Sequence, residues 1–365
     1  MKYIDGFRDP QAARALTERI HEAAEKLSLD RRPARLMEVC GTHTMAIARH
    51  GIHHLLPDSV RMISGPGCPV CVTDAGYIDA ALQLAERGVI IATFGDMLRV
   101  PGSQGSLAEA RSRGAKVVIC LSPDLAVDLA LSHPQSEVVF LAIGFETTVA
   151  PVISVIEIAH EKKVKNFSLL TAFKQVPPAL DALVQDPDVQ VQGFLCPAHV
   201  SAIIGANAYR PLVEKQRIPC VVAGFEPLDI LYGIWHLISQ LADGRAELVN
   251  TYERVVKPEG NRRAQGVIAR LLVAADASWR GIGVIPGSGL AIRSEYADLD
   301  AALRFGVSTD GGKTHGGCRC GDVLKGKIRP SECKLFGVAC RPEQPIGACM
   351  VSSEGSCAAH YRYLR

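Results

Sequence analysis

The sequence has few of the features that mark membrane, secreted or nucleic-acid-binding proteins. It contains 40 Lys and Arg against 38 Asp and Glu, a formal net charge of +2. No run rich in Lys or Arg stands out, so nucleic-acid binding has little support. The first ten residues, MKYIDGFRDP, lack the apolar core of a signal peptide. The most apolar stretch, residues 138–159, is interrupted by Glu146, Pro151 and Glu157 and makes a poor membrane span. We therefore expect a cytoplasmic protein.

Cysteine, by contrast, is plentiful, with twelve residues in a chain of 365. Cytoplasmic thiols are kept reduced and a chain of this length needs no disulfides to hold its core, so we expect metal binding or redox chemistry. A disulfide scaffold is the weaker alternative. Cys120, Cys196 and Cys220 lie in or beside apolar runs and are interpreted as buried structural thiols. The other nine form a first group of Cys40, Cys68 and Cys71 and a second group of Cys318, Cys320, Cys333, Cys340, Cys349 and Cys357.

Apolar runs that alternate with helical segments predict the fold class. Continuous apolar strands between helices are typical of parallel sheets covered on both faces, and there are too many runs for one small sheet. Residues 141–146 (LAIGFE) resemble residues 221–226 (VVAGFE), which suggests two units, although chance similarity of strand-end loops is the alternative. We predict an α/β fold with two parallel-sheet, Rossmann-like domains. The predicted strands are 36–39, 60–63, 89–93, 116–121, 138–143, 167–172, 191–195 and 219–223.

A change of character near residue 236 predicts a third domain. Helical pattern runs through 235–241 and 261–275, and is followed by Gly-rich, irregular sequence with the second cysteine group. Residues 11–28 also have helical periodicity and strong helix formers. The expected organisation is an N-terminal helical segment (1–35) able to pack on the C-terminal domain, two α/β domains (36–145 and 146–235), and a helical and irregular C-terminal domain (236–365).

The first cysteine group lies in two motifs, MEVCGTHT and GPGCPVC. Each motif is typical of a strand that ends in a loop where a helix begins. Ligands bind at the carboxyl ends of parallel strands, so Cys40, Cys68 and Cys71 are expected in one crevice. The helix dipole there is expected to favour thiolates. Cys-x-x-Cys spacing is typical of a redox dithiol, and the alternative is half of a zinc knuckle completed by Cys40 and His43. Cys40, beside His43, is predicted to be a metal ligand or nucleophile, with a buried apolar thiol as the alternative.

Five polar residues follow other predicted strands. Asp96 and Arg99 lie after the third strand, and Glu146, His199 and Glu226 hold matching positions in later units. Charged residues at strand ends are often only hydrogen-bond anchors for loops. Together, however, these five are candidates for a polar cleft around the thiols.

The second group has six cysteines within 40 residues, which is a strong metal signal. Its uneven gaps lack the paired rhythm of zinc ribbons and the tight run of bacterial ferredoxins. An iron–sulfur cluster takes four thiolates, so the surplus pair could form a redox disulfide beside it. Structural zinc is the alternative, and zinc could not pass electrons.

An ordered set of motifs spans nearly the whole chain. The motifs are MEVCGTHT (37–44), GPGCPVC (65–71), TFGDMLRVPG (93–102), GFETT (144–148), PAHVSAIIG (197–205), VVAGFEPLDIL (221–231) and MVSSEGSCAAHY (350–361). This set resembles the HypD family of hydrogenase maturation factors. The resemblance implies a scaffold that assembles the Fe(CN)2CO group of [NiFe] hydrogenases, together with a HypC-type chaperone and with HypE as the cyanide donor. It leaves open whether the chain itself turns over as an enzyme.

By motif match, the resemblance also implies residue roles. Cys40 would bind the iron together with the chaperone's N-terminal cysteine, with support from His43. Cys68 and Cys71 would be the redox dithiol. The C-terminal domain would carry a [4Fe-4S] cluster in an environment similar to ferredoxin:thioredoxin reductase. The implied cluster ligands are Cys320, Cys333, Cys340 and Cys357.

This ligand set leaves Cys318 and Cys349 as the extra disulfide, and exchanging Cys318 for Cys320 is the main alternative. In the implied mechanism, electrons pass from the cluster to this pair or directly onward, and Cys68 and Cys71 cycle in the crevice. Two rival functions remain. One is a general thiol–disulfide oxidoreductase fed by a cluster, and the other is a zinc-stabilised binding protein.

Overall fold

Two sheets organise the fold, and helices and a cysteine-rich tail pack around them. The structure is a computed structural model that describes residues 5–27 and 33–364. The β-strands in chain order are β1 (Ala34–Glu38), β2 (Val60–Ser64), β3 (Ile90–Thr93), β4 (Val117–Ile119), β5 (Val138–Gly144), β6 (Phe167–Lys174), β7 (Gly193–Pro197), β8 (Cys220–Ala223), β9 (Leu248–Asn250), β10 (Leu272–Trp279) and β11 (Gly283–Ile292).

The helices connect these strands and build most of the tail. The α-helices in chain order are α1 (Pro10–Glu25), α2 (Gly41–Arg49), α3 (Pro69–Val72), α4 (Ala75–Glu86), α5 (Leu107–Ser112), α6 (Asp124–Ser132), α7 (Glu146–Ile153), α8 (Val155–Glu161), α9 (Val176–Gln185), α10 (Ala198–Ile204), α11 (Arg210–Gln216), α12 (Pro227–Ala242), α13 (Arg262–Leu271), α14 (Ala301–Phe305), α15 (Cys320–Leu324), α16 (Ala348–Val351) and α17 (Ser356–Tyr363). Short 3-10 helices span Asp5–Phe7, Ile52–His54, Gly95–Arg99, Ala206–Tyr209, Ser294–Leu299 and Pro330–Glu332.

The first sheet has the order β2-β1-β7-β8-β9, and all its strands are parallel. Leu36 of β1 is in register with Met62 of β2 on one side and Gly193 of β7 on the other. The order of the strands therefore reverses between β1 and β7, as in doubly wound sheets. In such sheets ligands bind outside the carboxyl ends of the strands at the point of reversal. The loop that carries Cys40 follows β1 at this point.

The second sheet has the order β10-β11-β6-β5-β3-β4. Strands β3, β4, β5 and β6 are parallel to one another. The β10–β11 hairpin pairs with β6 in the antiparallel sense. The α/β class and the parallel first sheet agree with the prediction. The hairpin makes the second sheet mixed, and it comes from the region for which only helical and irregular structure was expected.

The two sheets interleave along the chain. The chain builds β1 and β2 in the first sheet, β3 to β6 in the second, β7 to β9 in the first again, and then the hairpin in the second. All eight predicted strands are present, but an expected boundary at residue 145 does not separate the two sheets. The helical pattern predicted over 261–275 stops at Leu271, where β10 begins. A short apolar run cannot be assigned to helix or strand by periodicity alone.

The N-terminal helix packs on the first sheet's helical layer. Asp9 caps α1 by accepting hydrogen bonds from the N–H groups of Gln11 (2.7 Å) and Ala12 (3.0 Å), with Pro10 in the first turn. The buried face of α1, including Ile20, lies against α12 in one apolar cluster. The partner of α1 is thus a helix that straddles the expected boundary at 235. Residue 28, the last of the predicted helix, is outside the described residues.

One apolar core is shared by the facing sides of the two sheets. Successive strand residues point to opposite faces, so Val139 and Leu141 enter the shared core while Val138 and Phe140 enter a separate cluster on the other face of the second sheet. The predicted structural thiols are all buried. In the described residues, none of the helices has both the length and the apolar character needed to cross a bilayer. The shared core also takes in cysteines of both groups, namely Cys68, Cys71, Cys320, Cys340, Cys349 and Cys357.

Candidate functional site

The loops that carry the first cysteine group lie side by side. Cys40 caps α2 and Cys68 caps α3, each at the end of a parallel strand. The N–H of Gly41 donates to the carbonyl oxygen of Gly67 at 3.0 Å. A Cβ atom on Gly67 would come 2.5 Å from the Cα of Cys40, so only glycine permits this approach. The loops of Cys40 and Cys68 are therefore adjacent, and that they form one crevice, as strand-end geometry predicts, stays a prediction.

The dithiol touches the tail. The Cys68 sulfur accepts a hydrogen bond from the N–H of Cys71 at 3.3 Å, and the Cys71 thiol points to the carbonyl oxygen of Ala348 at 3.9 Å. The thiol of Cys71 also interacts with that of Cys349. The two cysteine groups, separated by more than 240 residues of chain, are therefore parts of one sulfur-rich region.

Cys320 is the centre of the tail thiols. Its sulfur lies 3.3 Å from that of Cys318, and it interacts with Cys349 and Cys357. A Cβ atom on Gly347 would lie 2.5 Å from the Cys320 sulfur and 2.6 Å from the Cys318 sulfur, so a glycine is needed at 347 to leave room for both. Cys320 is the main cause of the raised pKa of the Cys349 thiol.

Cys333 and Cys340 complete the tail group. The Cys340 sulfur accepts a hydrogen bond from the N–H of Ile346 at 3.3 Å, and half-buried Cys333 lies near the carbonyl oxygen of Gly317. Backbone N–H groups that point at sulfur stabilise the negative charge of a metal-bound thiolate.

The tail thiols are candidate ligands for a metal centre. No three His, Cys, Asp or Glu side chains in residues 5–27 and 33–364 converge where one metal ion could be held. A structural zinc ion requires four ligands around one point. A [4Fe-4S] cluster is held by four Cys thiolates and has four irons, so its ligands need not meet at one point. The Cys318 and Cys320 sulfurs lie beside Gly347, and Cys340, Cys349 and Cys357 interact with one or both of them, so these thiols could serve as ligands of such a cluster.

Burial, and not the helix dipole, sets the direction of the pKa shifts of Cys40 and Cys71. Burial raises the pKa of Cys40 to about 11, which outweighs the stabilising N–H groups of Thr42 and His43. Burial also raises the pKa of Cys71 well above its usual value. The expectation of resting thiolates is wrong for these two residues, because loss of water penalises the charged form. Each remains a neutral thiol until a metal ion or a redox partner replaces its proton.

His43 is a neutral and firmly oriented ring in the crevice wall. Its Nε2 lies 2.9 Å from the carbonyl oxygen of Gly224, and its ring packs on Phe225 at 4.7 Å between centroids. A carbonyl only accepts, so the proton is on Nε2. The Nδ1 atom is buried and has no hydrogen-bond partner in the described part of the chain. Burial lowers the pKa of His43 to about 4, so its Nδ1 lone pair stays available near neutral pH.

Sequence reasoning missed Glu354, which closes the crevice from the tail. Its carboxylate accepts a hydrogen bond from the Thr42 hydroxyl at 2.9 Å, and its backbone and Cβ press on Gly41. Its charge raises the pKa of the neighbouring Cys40 and acts on His199 in the same sense. Glu354 lies in a family motif, three residues before Cys357, and this position could have singled it out. Its partner Thr42, however, is more than 300 residues away in the sequence.

Glu38 was also missed, and it lies directly below the Cys40 loop. It is buried at the end of β1, where its carboxyl accepts from the hydroxyls of Ser64 at 2.8 Å and Thr44 at 3.4 Å. Burial raises the pKa of Glu38 to about 8. The same Thr44 hydroxyl contacts the Cys40 carbonyl oxygen at 3.2 Å, which ties the carboxyl to the crevice floor.

The predicted cleft residues are placed in different regions. Exposed His199 stacks on Phe225 at 4.1 Å, the same ring that packs on His43, so it belongs to the crevice. Glu226 caps α12 and forms an ion pair with Arg8. Both residues lie on the first sheet's side.

The other three follow strands of the second sheet. Asp96 is exposed in the 3-10 helix after β3, and Arg99 donates to the carbonyl oxygen of Pro342 at 2.8 Å in the tail. Glu146 is buried, accepts from the N–H of Val176 at 2.9 Å, and lines a separate cavity of about 400 Å³ with Arg293 on its wall. Burial raises the pKa of Glu146 to about 7. The five residues therefore do not line a single cleft.

Comparisons with known proteins agree over the full chain. The family model described as HypD, hydrogenase formation hypA family, matches residues 11–364. The hydrogenase maturation factor HypD of Azotobacter vinelandii is 47% identical over 373 residues, covering 100% of this chain and 97% of that protein. HypD of Cupriavidus necator is 44% identical and HypD of Escherichia coli K12 is 43% identical, each match covering 100% of this chain and 98% of the relative.

Proposed function

The chain belongs to the HypD family of hydrogenase formation proteins, and from this premise we propose that it holds the iron of a [NiFe] hydrogenase while that iron receives cyanide and carbonyl ligands. The observation that carries the proposal is the meeting of Cys40, the Cys68/Cys71 pair and the tail thiols in one region of the fold. Iron is the cargo of this reaction. The crevice supplies thiol ligands to it, and the tail supplies reducing power.

Cys40 is the proposed ligand of the cargo iron. It lies at the reversal point of the first sheet, and a soft thiolate suits an iron that carries cyanide and carbonyl. Because the Cys40 pKa is about 11, iron binding must expel the thiol proton. His43, fixed by Gly224, presents a neutral nitrogen as a positioning residue or acceptor. A HypC-type chaperone would contribute a second thiolate, and HypE would deliver the cyanide.

Cys349 is the proposed exchange thiol between tail and crevice, because it interacts with both Cys71 and Cys320. Attack of the Cys349 thiolate on Cys71 of an oxidised Cys68–Cys71 pair would form a mixed disulfide and release the Cys68 thiolate. Cys320 then attacks Cys349, releases the Cys71 thiolate and leaves a Cys320–Cys349 disulfide. One electron pair thus moves from the tail to the crevice, and the two protons lost by the tail thiols match those gained by Cys68 and Cys71.

This route assigns Cys320 to the disulfide and Cys318 to the metal, which is the exchange that the motif match had kept as its alternative. The proposed cluster ligands are then Cys318, Cys333, Cys340 and Cys357. When bound, a [4Fe-4S] cluster supplies single electrons. Free thiols in this number suit a reducing compartment, and we place the protein in the cytoplasm.

Infrared spectroscopy of the assembled complex tests the proposal. The chain is co-expressed with a HypC-type chaperone and HypE, and the complex is purified without oxygen. We expect cyanide and carbonyl stretching bands and about four irons per chain at the tail. A redox-active protein without those bands would support the general oxidoreductase. A colourless protein that contains zinc and no labile sulfide would support the zinc-stabilised binding protein.

A further inference from the structure

The turn of the β10–β11 hairpin lies between the two cysteine groups. The backbone N–H of Arg280 donates to the carbonyl oxygen of Val72, one residue after Cys71, at 2.8 Å. On the other side, a Cβ atom on Gly281 would come 2.5 Å from the Cα of Gly321, which follows Cys320. The turn therefore contacts Val72, which follows Cys71, on one side and Gly321, which follows Cys320, on the other.

The guanidinium of Arg280 is buried in this position, with 4% of the residue exposed. Its Nε donates to the carbonyl oxygen of Thr73 at 2.6 Å and one terminal nitrogen donates to that of Pro101 at 3.0 Å. These carbonyl groups orient the cation but bring no net negative charge. The second terminal nitrogen is buried and has no hydrogen-bond partner in the described part of the chain.

Negative charge near this cation can come from the tail sulfurs. Arg280 interacts electrostatically with Cys320, Cys349 and Cys318, and it lines a cavity of about 470 Å³ together with Cys318 and Cys320. Asp74 also acts on it, but the Asp74 carboxylate already accepts hydrogen bonds from Gly76 and Ser278. A buried cation whose remaining N–H has no protein acceptor is costly unless an anion forms beside it.

We propose that Arg280 stabilises the reduced, more negatively charged state of the tail cluster, whose proposed ligand Cys318 lines the same cavity. Net charge and hydrogen bonds to sulfur are among the factors that set the reduction potential of iron–sulfur centres. One-electron reduction adds one negative charge and breaks no bond, so a fixed cation nearby favours the reduced form. The inference rests on the proposed function, because it concerns the cluster assigned to the tail.

The test is a redox titration of anaerobically purified holoprotein, with dithionite as the electron donor and electron paramagnetic resonance as the readout. Arg280→Gln and Arg280→Met remove the charge, whereas Arg280→Lys keeps it. We expect the neutral variants to show about a tenfold lower ratio of reduced to oxidised centre at a fixed potential, which is about 59 mV for one electron. Arg280→Lys should stay near the wild type.

Arg319→Gln is the matched control. Arg319 is adjacent in sequence to Cys318 and Cys320, but it is 52% exposed and already paired with Asp322, so water and its partner screen its charge. An equal shift in the control, no shift in the neutral variants, or a shift in Arg280→Lys as large as theirs would overturn the inference. If the neutral variants lose the cluster, its retention in Arg280→Lys supports a charge requirement, and its loss from all three variants leaves only a packing role.

The outcome separates this inference from the proposed function. A wild-type protein that forms no iron–sulfur centre contradicts the proposed function itself. A wild-type protein with a normal centre whose potential ignores Arg280 contradicts only the role of this residue.

Discussion

The crevice around Cys40 and the cysteine-rich tail are built by different means. Cys40 and Cys68 begin helices that follow parallel strands. A backbone hydrogen bond between Gly41 and Gly67 holds their loops together. The tail thiols lie in short helices and turns, and four of them, Cys320, Cys340, Cys349 and Cys357, belong to the shared apolar core. The positions of Cys40 and Cys68 thus follow from sheet topology, whereas the tail thiols lie in segments outside the two sheets.

This difference has a consequence for stability and for charge. Six neighbouring thiols cannot all ionise without a compensating cation, because like charges at short range repel strongly. The crevice thiols face a different restriction, since burial is the main cause of the raised pKa values of Cys40 and Cys71. Under the proposed function, both regions therefore lose thiol protons when they bind a metal.

The largest expected effects come from removing one thiol in each region. Cys357→Ala should lose the visible spectrum of the tail centre and most of its iron, because one of four proposed ligands is gone.

Cys40→Ala should keep that spectrum and lose the cyanide and carbonyl bands, because its thiol is the proposed ligand of the cargo iron. Iron analysis, visible spectra and infrared spectra of the complexes measure both.

Cys120→Ala is the control for thiol loss in general. Cys120 is a buried core residue of the second sheet and lies outside both groups, so this variant should keep both signals. A full cluster spectrum in Cys357→Ala would refute that assignment, and normal infrared bands in Cys40→Ala would count against Cys40 as the iron ligand.

The next largest effect should come from filling the space between the two crevice loops. An alanine at Gly67 would place its Cβ 2.5 Å from the Cα and N atoms of Cys40, and backbone atoms cannot move aside easily. We expect Gly67→Ala to lower the free energy of unfolding by about 3 kcal/mol. Denaturant unfolding of the purified protein gives this value.

Gly266→Ala is the matched substitution away from the crevice. Gly266 lies inside α13 and no heavy atom lies within 4 Å of its added Cβ, so alanine should stabilise the helix by about 0.5–1 kcal/mol. Equal effects of the two substitutions would mean that the two loops do not approach each other as described.

A smaller effect on the pH dependence of the free energy of unfolding should come from Glu146, which lies outside both cysteine regions. Burial raises its pKa from 4.5 to about 7, so the folded state holds a proton more tightly than the unfolded state. This contribution to stability is complete below about pH 4.5 and is lost as the pH rises through about 7. Between pH 5 and pH 8 the wild type should lose about 2 kcal/mol that Glu146→Gln retains.

Urea unfolding of both proteins at the two pH values measures this difference. The comparison isolates Glu146, because Glu38 and the other titrating groups are present in both proteins. Glu161→Gln, which changes an exposed carboxyl at the end of α8, should follow the wild type. A Glu146→Gln variant with the pH dependence of the wild type would show that the carboxyl is solvated.

Prediction from sequence worked where chemistry is local. All eight predicted strands form, because continuous apolar runs leave few other ways to bury them. The β10–β11 hairpin was missed, since its first strand continues the apolar pattern of α13. The sign of the Cys40 pKa shift was wrong because the sequence shows a helix start but not the depth of burial. Glu354 was missed because its contact with Thr42 closes a loop of more than 300 residues.

The order of residues was enough to predict the α/β class, eight of the strands, the strand-end positions of Cys40 and Cys68, and the existence of two cysteine groups. These properties depend on neighbouring residues and on hydrophobic periodicity. Three features came from the three-dimensional packing: the interleaved sheets, the interaction of Cys349 with both Cys71 and Cys320, and the burial of Arg280. Those contacts join distant parts of the chain, and the packing of the shared core selects them.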